Sequence, residues 1–288
     1  MKPWRDLHPS ICAQGRDEDQ VNIQISDLYF SYPAGVEALR GISLTINSGE
    51  QVAIVGQNGA GKTTLVKHLN GLLRPTRGQV LIGDWDTTKY SVAKLASRVG
   101  YVFQNPDEQL FSKNVGAEVA FGPRNLGFNG DQLQALVNDA LTLTELSDKT
   151  ETNPYDLSAP WRKMVAIASI LSMDTDIVIF DEPTTGQDAA NIARIANVVA
   201  ELRKRGKTVI TITHDIDFGA ENFERVIAMS QGKILLDGKT NEVLGREEIL
   251  ATTYVDPPQL TRLGKRLSFK ETVRNQEEFL AALKNRHP

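Results

Sequence analysis

Gly56-Gln57-Asn58-Gly59-Ala60-Gly61-Lys62-Thr63-Thr64 follows the apolar run Gln51-Val52-Ala53-Ile54-Val55 and leads into Leu65-Val66-Lys67-His68-Leu69. The order is strand, glycine loop, helix, with the spacing G-x-x-x-x-G-K-[ST] of a P-loop. The chemistry requires these residue types. Phosphate oxygens approach several backbone N–H groups at once, and side chains at 56, 59 or 61 would hold them off. The positive end of the following helix adds to the attraction. Lys62 brings a mobile charge to the β- and γ-phosphates, and the Thr63 hydroxyl can ligate Mg²⁺. The loop therefore implies that residues 56–64 bind a nucleoside triphosphate.

Outward from the loop, the chain reads as an α/β protein. Val21 to Ile25 alternates apolar and polar, Leu28 to Tyr32 continues the strand pattern, and Pro33-Ala34-Gly35 turns the chain into a second strand, Ala38 to Ile46. An antiparallel β-subdomain thus precedes the nucleotide core. A short strand is expected at Gln79 to Ile82, a helix at Ser91 to Ser97 and a buried strand at Val99 to Phe103. From Gln104 to about Asp156 strand signals give way to helical periodicity, clearest in Leu133, Leu136, Val137, Ala140 and Leu141. Strands return at Ile177 to Phe180, Thr208 to Ile212 and Arg225 to Met229, with a helix at Ala189 to Arg205 between the first two. That alternation predicts a parallel sheet with helices on both faces.

The expected organisation is an extension over 1–20, a nucleotide domain over 21–240 with a helical subdomain at about 105–173, and a tail over 241–288. In the tail, Leu260, Leu263 and Leu267 form one apolar stripe and Phe279, Leu280 and Leu283 another. Both fit short amphipathic helices that either cover the core or contact a partner.

Bulk properties narrow the function. The 288 residues are 41% hydrophobic and 24% charged, with net charge −4, so no general nucleic-acid affinity is implied. Cys12 is alone, which excludes internal disulfides and cysteine-based zinc sites. The longest apolar runs fall far short of the roughly 20 residues that span a bilayer, so any membrane role is expected to be peripheral.

Other residues complete a site. The apolar strand 177–180 delivers Asp181 and Glu182 at its carboxyl end, where α/β sheets bind ligands. Asp181 is expected to hold Mg²⁺ through water, and Glu182 to deprotonate the attacking water. Gln104 ends another strand, within reach of metal and water. His214 ends a third and is a candidate γ-phosphate contact. Tyr32 is either a stacking partner for adenine or an ordinary strand-edge tyrosine.

In order, Tyr32, the loop 56–63, Gln104, Leu157-Ser158, Asp181-Glu182, Gly186-Gln187-Asp188 and His214 resemble the A-loop, Walker A, Q-loop, signature, Walker B, D-loop and H-loop of ABC-transporter ATPases. The resemblance covers about residues 21–240. It implies a RecA-like core and a pair of chains sandwiching two ATP molecules, each site taking its Walker motifs from one chain and its signature from the other. Gln104-Asn105-Pro106-Asp107-Glu108-Gln109-Leu110-Phe111 and the tail 257–263 look like the ATPases of energy-coupling-factor (ECF) and cobalt or nickel importers. Those pair beneath a transmembrane coupling protein on the cytoplasmic face of the membrane, with a separate membrane subunit binding the substrate. Asp107 and Glu108 would offer acid to basic coupling helices.

The chain departs from the family where Leu-Ser-Gly-Gly-Gln becomes Leu157-Ser158-Ala159-Pro160-Trp161, and where Gln187 replaces the D-loop Leu. Proline fits the first turn of a helix but removes an N–H that the family would aim at the γ-phosphate. Loss of one transition-state donor can cost ~10²–10³ in rate. The expectation is an asymmetric heterodimer that imports a vitamin or a transition-metal ion. A homodimer, another ABC importer or exporter branch, and a soluble ABC ATPase are the alternatives. The last is disfavoured by the single P-loop, the lack of a long heptad run and the acidic balance.

Overall fold

The computed structural model describes residues 21–284. The expectations for residues 1–20, Cys12 included, lie outside them. β1 (Ile23–Ser31) and β2 (Glu37–Ile46) form an antiparallel hairpin whose alternate residues, among them Ile23, Ile25, Leu39 and Leu44, are buried. β3 (Gln51–Val55) runs into the glycine loop and α1 (Lys62–Leu69). β4 (Arg77–Ile82), β5 (Trp85–Asp86), α2 (Val92–Leu95) and β6 (Val99–Val102) follow.

Three helices lie between β6 and the next strand: α3 (Val115–Asn125), α4 (Gly130–Leu143) and α5 (Ala159–Leu171). Then come β7 (Ile177–Asp181), α6 (Ala189–Lys204), β8 (Thr208–Thr213), α7 (Ile216–Asn222), β9 (Arg225–Ser230) and β10 (Lys233–Lys239). The tail forms α8 (Thr240–Leu244), α9 (Glu247–Thr252), α10 (Gln259–Arg266) and α11 (Gln276–Lys284).

Two sheets result. One is antiparallel, ordered β2-β1-β4-β5; the other is six-stranded, ordered β10-β9-β3-β8-β7-β6. The strands from β9 to β6 are parallel, but β10 pairs antiparallel with β9. The wholly parallel sheet is therefore corrected. β10 escaped the sequence reading because its mixed run Lys233 to Lys239 has the graded exposure of an edge strand, with no buried residue to mark it.

Helices lie on both faces of this sheet, but unequally. Successive side chains of a strand point to opposite faces, and the central strands feed two separate cores. Ala53, Val55, Val178, Phe180 and Val209 pack against α3 to α7. Val52, Ile54, Ile177, Ile179 and Ile210 pack against α1 and the antiparallel sheet. One face is thus helical, and the other carries a single helix and a second sheet. In α5, residues Met164 to Ala168 are 0% exposed; each large apolar side chain buried this way contributes roughly 1.5–3 kcal/mol.

Candidate nucleotide site

The loop 56–61 is forced to be glycine-rich by close backbone approaches. At Gly56 (φ +152°) a Cβ would lie 2.2 Å from the Met229 carbonyl oxygen, and at Gly61 (φ +100°) 2.7 Å from that of Ala38. The Gln57 N–H donates to the Thr253 carbonyl (3.2 Å), so the tail braces the loop directly, and the Ala60 N–H donates to the Gln57 carbonyl (3.1 Å). The first-turn N–H groups of α1 have no intrahelical acceptor and form the phosphate-binding end.

Lys62 Nζ donates to the carbonyls of Gly56 (2.6 Å) and Gln57 (3.1 Å). Burial pulls its pKa down, opposed by the charges of Glu182 and Asp181. The loop forms the floor of a cleft of about 640 Å³ whose walls include Tyr32, Asn58, Thr64, Gln104, Glu182 and His214. Six sequence-predicted residues from five separate stretches thus meet in one place.

Each wall residue is held in a defined way. The Tyr32 hydroxyl lies 3.0 Å from Thr64 Oγ1, and its ring stands edge-on to Phe30. Thr63 Oγ1 donates to Asp181 Oδ1 at 3.4 Å. The Tyr101 phenol donates to Asp181 Oδ2 at 2.6 Å, and burial beside that carboxylate pushes the phenol pKa up. Burial also raises Asp181, against the Tyr101 hydrogen bond.

Glu182 adopts φ +46°, a left-handed conformation costly for a side chain other than glycine and concentrated at functional turns. Its N–H is anchored on the Ile212 carbonyl (2.8 Å). Its Oε2 accepts from the His214 backbone N–H (3.3 Å) and lies 2.8 Å from His214 Nδ1. His214 therefore orients Glu182, a role that its strand-end position alone did not reveal.

An all-oxygen pair of Thr63 and Asp181, with the exposed Gln104 at the same cleft, suits Mg²⁺, which takes few protein ligands and completes its shell with phosphate and water. No group of three or more His, Cys, Asp or Glu residues suited to a metal ion exists among the described residues.

Lys163, like Tyr101, is a residue that sequence reading missed. It is 1% exposed on α5, and its Nζ donates to the carbonyls of Phe103 (2.8 Å) and Gln104 (2.9 Å). Burial brings its pKa down to about 8, against the pull of Asp181 and Glu182. Gln109 adds a second tie, accepting from the Phe103 N–H and donating to the Ala166 carbonyl (2.7 Å). Asp107, expected to face a partner, is committed to an ion pair with Arg162 (3.0 Å), which leaves Glu108 as the exposed acid of that turn not drawn into this pair.

Ser158, Ala159 and Pro160 lie apart from this cleft. Ser158 is the N-cap of α5 but makes no capping hydrogen bond, Ser158 and Ala159 are exposed, and Pro160 occupies the first turn. Gly186 and Asp188 are exposed as well, and Asp188 caps α6 by accepting from the Asn191 N–H (2.8 Å).

The braced glycine loop, the paired carboxylates beyond β7 and the strand order define a P-loop nucleotide-binding cassette. The ABC transporter family matches residues 39–185. The energy-coupling factor transporter ATP-binding protein EcfA of Methanocaldococcus jannaschii is 38% identical over 253 residues, covering 87% of this chain and 91% of that protein. The protein of the same name from Methanothermobacter thermautotrophicus is 40% identical over 248 residues, 85% and 79% of the two. CbiO1 of Clostridium perfringens, described as part of the ABC transporter complex CbiONQ, superposes with a TM-score of 0.73 at 35% identity, over 87% of this chain and 100% of that one. Relatives from Methanosarcina acetivorans and Methanosarcina mazei, 42% and 41% identical, are longer; the chain spans 44% and 43% of their length. The chain belongs to the ABC transporter ATP-binding family, a family of ATPases.

Proposed function

We propose that this chain is the ATP-hydrolysing subunit of an ECF-type importer for a vitamin or a transition-metal ion, acting as one half of an asymmetric heterodimer. The observation that carries the reading is Glu182, held at the cleft on a left-handed turn by two contacts from His214. A carboxylate so fixed accepts the proton of a water aligned with the γ-phosphate. Lys62 and the first-turn N–H groups of α1 take up the charge that develops on the phosphate oxygens, Gln104 orients the water, and Tyr32 flanks the base. Thr63, Asp181 and Gln104 would hold Mg²⁺, which neutralises phosphate charge when bound.

The asymmetry rests on Ala159 and Pro160. They face outward at the start of α5, where a partner's ATP would meet one N–H fewer than a glycine pair offers. A transmembrane coupling protein fits the exposed aromatic pair Phe111 and Phe121, 61% and 48% exposed with ring centroids 4.7 Å apart, beside the Q-loop turn. No helix among the described residues is long and apolar enough to cross a membrane. In this reading the subunit docks at the cytoplasmic membrane face beside a substrate-binding membrane subunit, as its likeness to EcfA and CbiO1 suggests.

Light scattering of the Glu182→Gln protein with and without Mg-ATP tests the reading. The expected result is a chain that binds ATP as a monomer and pairs only when an ATPase with an intact Leu-Ser-Gly-Gly-Gln is added. Nucleotide-dependent pairing of the variant with itself would overturn the heterodimer, and failure to bind ATP would overturn the whole assignment.

A further inference from the structure

Trp161 and Gln187, two positions where the chain departs from its family's pattern, are joined by a line of side chains. The Trp161 ring packs against two cations, with Lys149 Nζ 4.6 Å and the Arg194 guanidinium carbon 4.7 Å from its centroid. Arg194 belongs to α6, so this stacking joins the helix that begins at 159 to the helix that begins at 189. Its edges are also engaged: Nε donates to Glu145 Oε2 (2.7 Å) and Nη1 to Asn191 Oδ1 (2.9 Å). Asn191, 1% exposed, continues the line by donating through Nδ2 to Gln187 Oε1 (3.3 Å), while its N–H binds Asp188.

The chemistry of each link is specific. A planar guanidinium offers a face to an aromatic ring and its edges to oxygen acceptors at the same time, which an ammonium cannot do. Glutamine at 161 would give the two cations no ring, and leucine at 187 would give Asn191 no acceptor. The two departures therefore complement each other through Arg194 and Asn191.

We propose that Arg194 and Asn191 are positioning residues that lock the start of the signature helix and the D-loop into one preset surface. Resting on the dimer reading above, this surface meets the ATP in the partner's Walker site, where the fixed placement of Ser158 and Asp188 sets the turnover that Pro160 still allows. The chain's own P-loop lies elsewhere and is not governed by it.

The experiment has two arms. In the chain alone, Trp161→Leu, Gln187→Leu and the double variant are unfolded in urea, in the natural background and again with Arg194→Met. The double variant's unfolding constant is expected to depart from the product of the single effects by roughly threefold or more, and to match it within error once Arg194 is gone. Additive effects in the natural background would overturn the relay.

In the second arm, Arg194→Met protein is paired with an intact-signature ATPase that carries the only functional general base. Turnover is expected to fall roughly threefold to tenfold, with the KM for ATP at this chain's own site, measured in the reciprocal pairing, unchanged. Equal loss in both pairings would overturn the positioning role. If the natural chain pairs with no ATPase in Mg-ATP, the dimer reading fails while the unfolding cycle still decides whether the relay exists.

Discussion

His68 illustrates at the residue scale how the cleft constrains what lies beneath it. Its ring is 0% exposed, edge-on to Phe30, with Nδ1 2.7 Å from the Thr64 carbonyl, so Nδ1 carries the proton. Nε2 is buried without a hydrogen-bond partner. A second proton there would put a charge in the core, and burial, outweighing the backbone contacts with Thr64 and Arg74 that favour the charged ring, holds the pKa below its ordinary 6.5. The folded state thus binds fewer protons than the unfolded chain once the pH drops under about 6.5. Stability is complete above that value and is lost on acidification, by about 1.4 kcal/mol per pH unit at most. Urea unfolding of the natural protein and His68→Leu from pH 7.5 to 5.5 is expected to show the natural protein losing ground; parallel profiles would contradict the assignment. At Asp181, Tyr101→Phe removes a buried donor and is expected to weaken Mg-ATP binding by about tenfold or more by calorimetry, through the loss of one charge-assisted hydrogen bond of about 1.5–3 kcal/mol. The P-loop and the Asp181-Glu182 pair were legible in the sequence because each is contiguous. Tyr101 was not, since its carboxylate partner lies 80 positions away. Nor did any residue type announce the left-handed backbone of Glu182 or its contact with His214.

Among the elements, α5 has the most demands placed on it. Its buried stretch 164–168 fixes it to the sheet, its first turn faces outward, and Lys163 fastens it to the carbonyls where β6 ends. Lys163→Met is expected to leave the carbonyls of Phe103 and Gln104 without their donor, at a cost of about 1–3 kcal/mol in urea unfolding. Lys163→Arg is expected to recover part of that loss. The loosened Gln104 is expected to lower ATPase turnover more than ATP affinity. Helical periodicity made α4 visible in Leu136, Val137, Ala140 and Leu141, all buried. It could not show what Lys163 does, because a lone lysine in an apolar helix reads as solvated until the facing carbonyls are located. α7 went unseen because it is a short helix set by the strands it packs against, and β10 because its edge position leaves it no buried residue.

For the molecule as a whole, the tail is part of the nucleotide site. The Thr253 carbonyl holds the Gln57 N–H, and Leu250 and Val255 on either side are buried. Truncation after Gly245 is expected to weaken ATP binding about fivefold, the equivalent of one hydrogen bond near 1 kcal/mol, and to lower the unfolding temperature. Unchanged calorimetric affinity would show that the loop keeps its shape unaided. The sequence reading located amphipathic helices in this tail but could not say which core they would meet. The central sheet supplies the remaining corollary. Along its strands, sequence neighbours such as Val52 and Ala53 face different cores, so the chain carries two interleaved sets of instructions. A lineage can rewrite every second strand residue together with the helices they face, exchanging one docking partner for another, and leave untouched the half that cradles the phosphates. For an engineer, the helical half is a graft whose boundary runs through the middle of a single layer of strands.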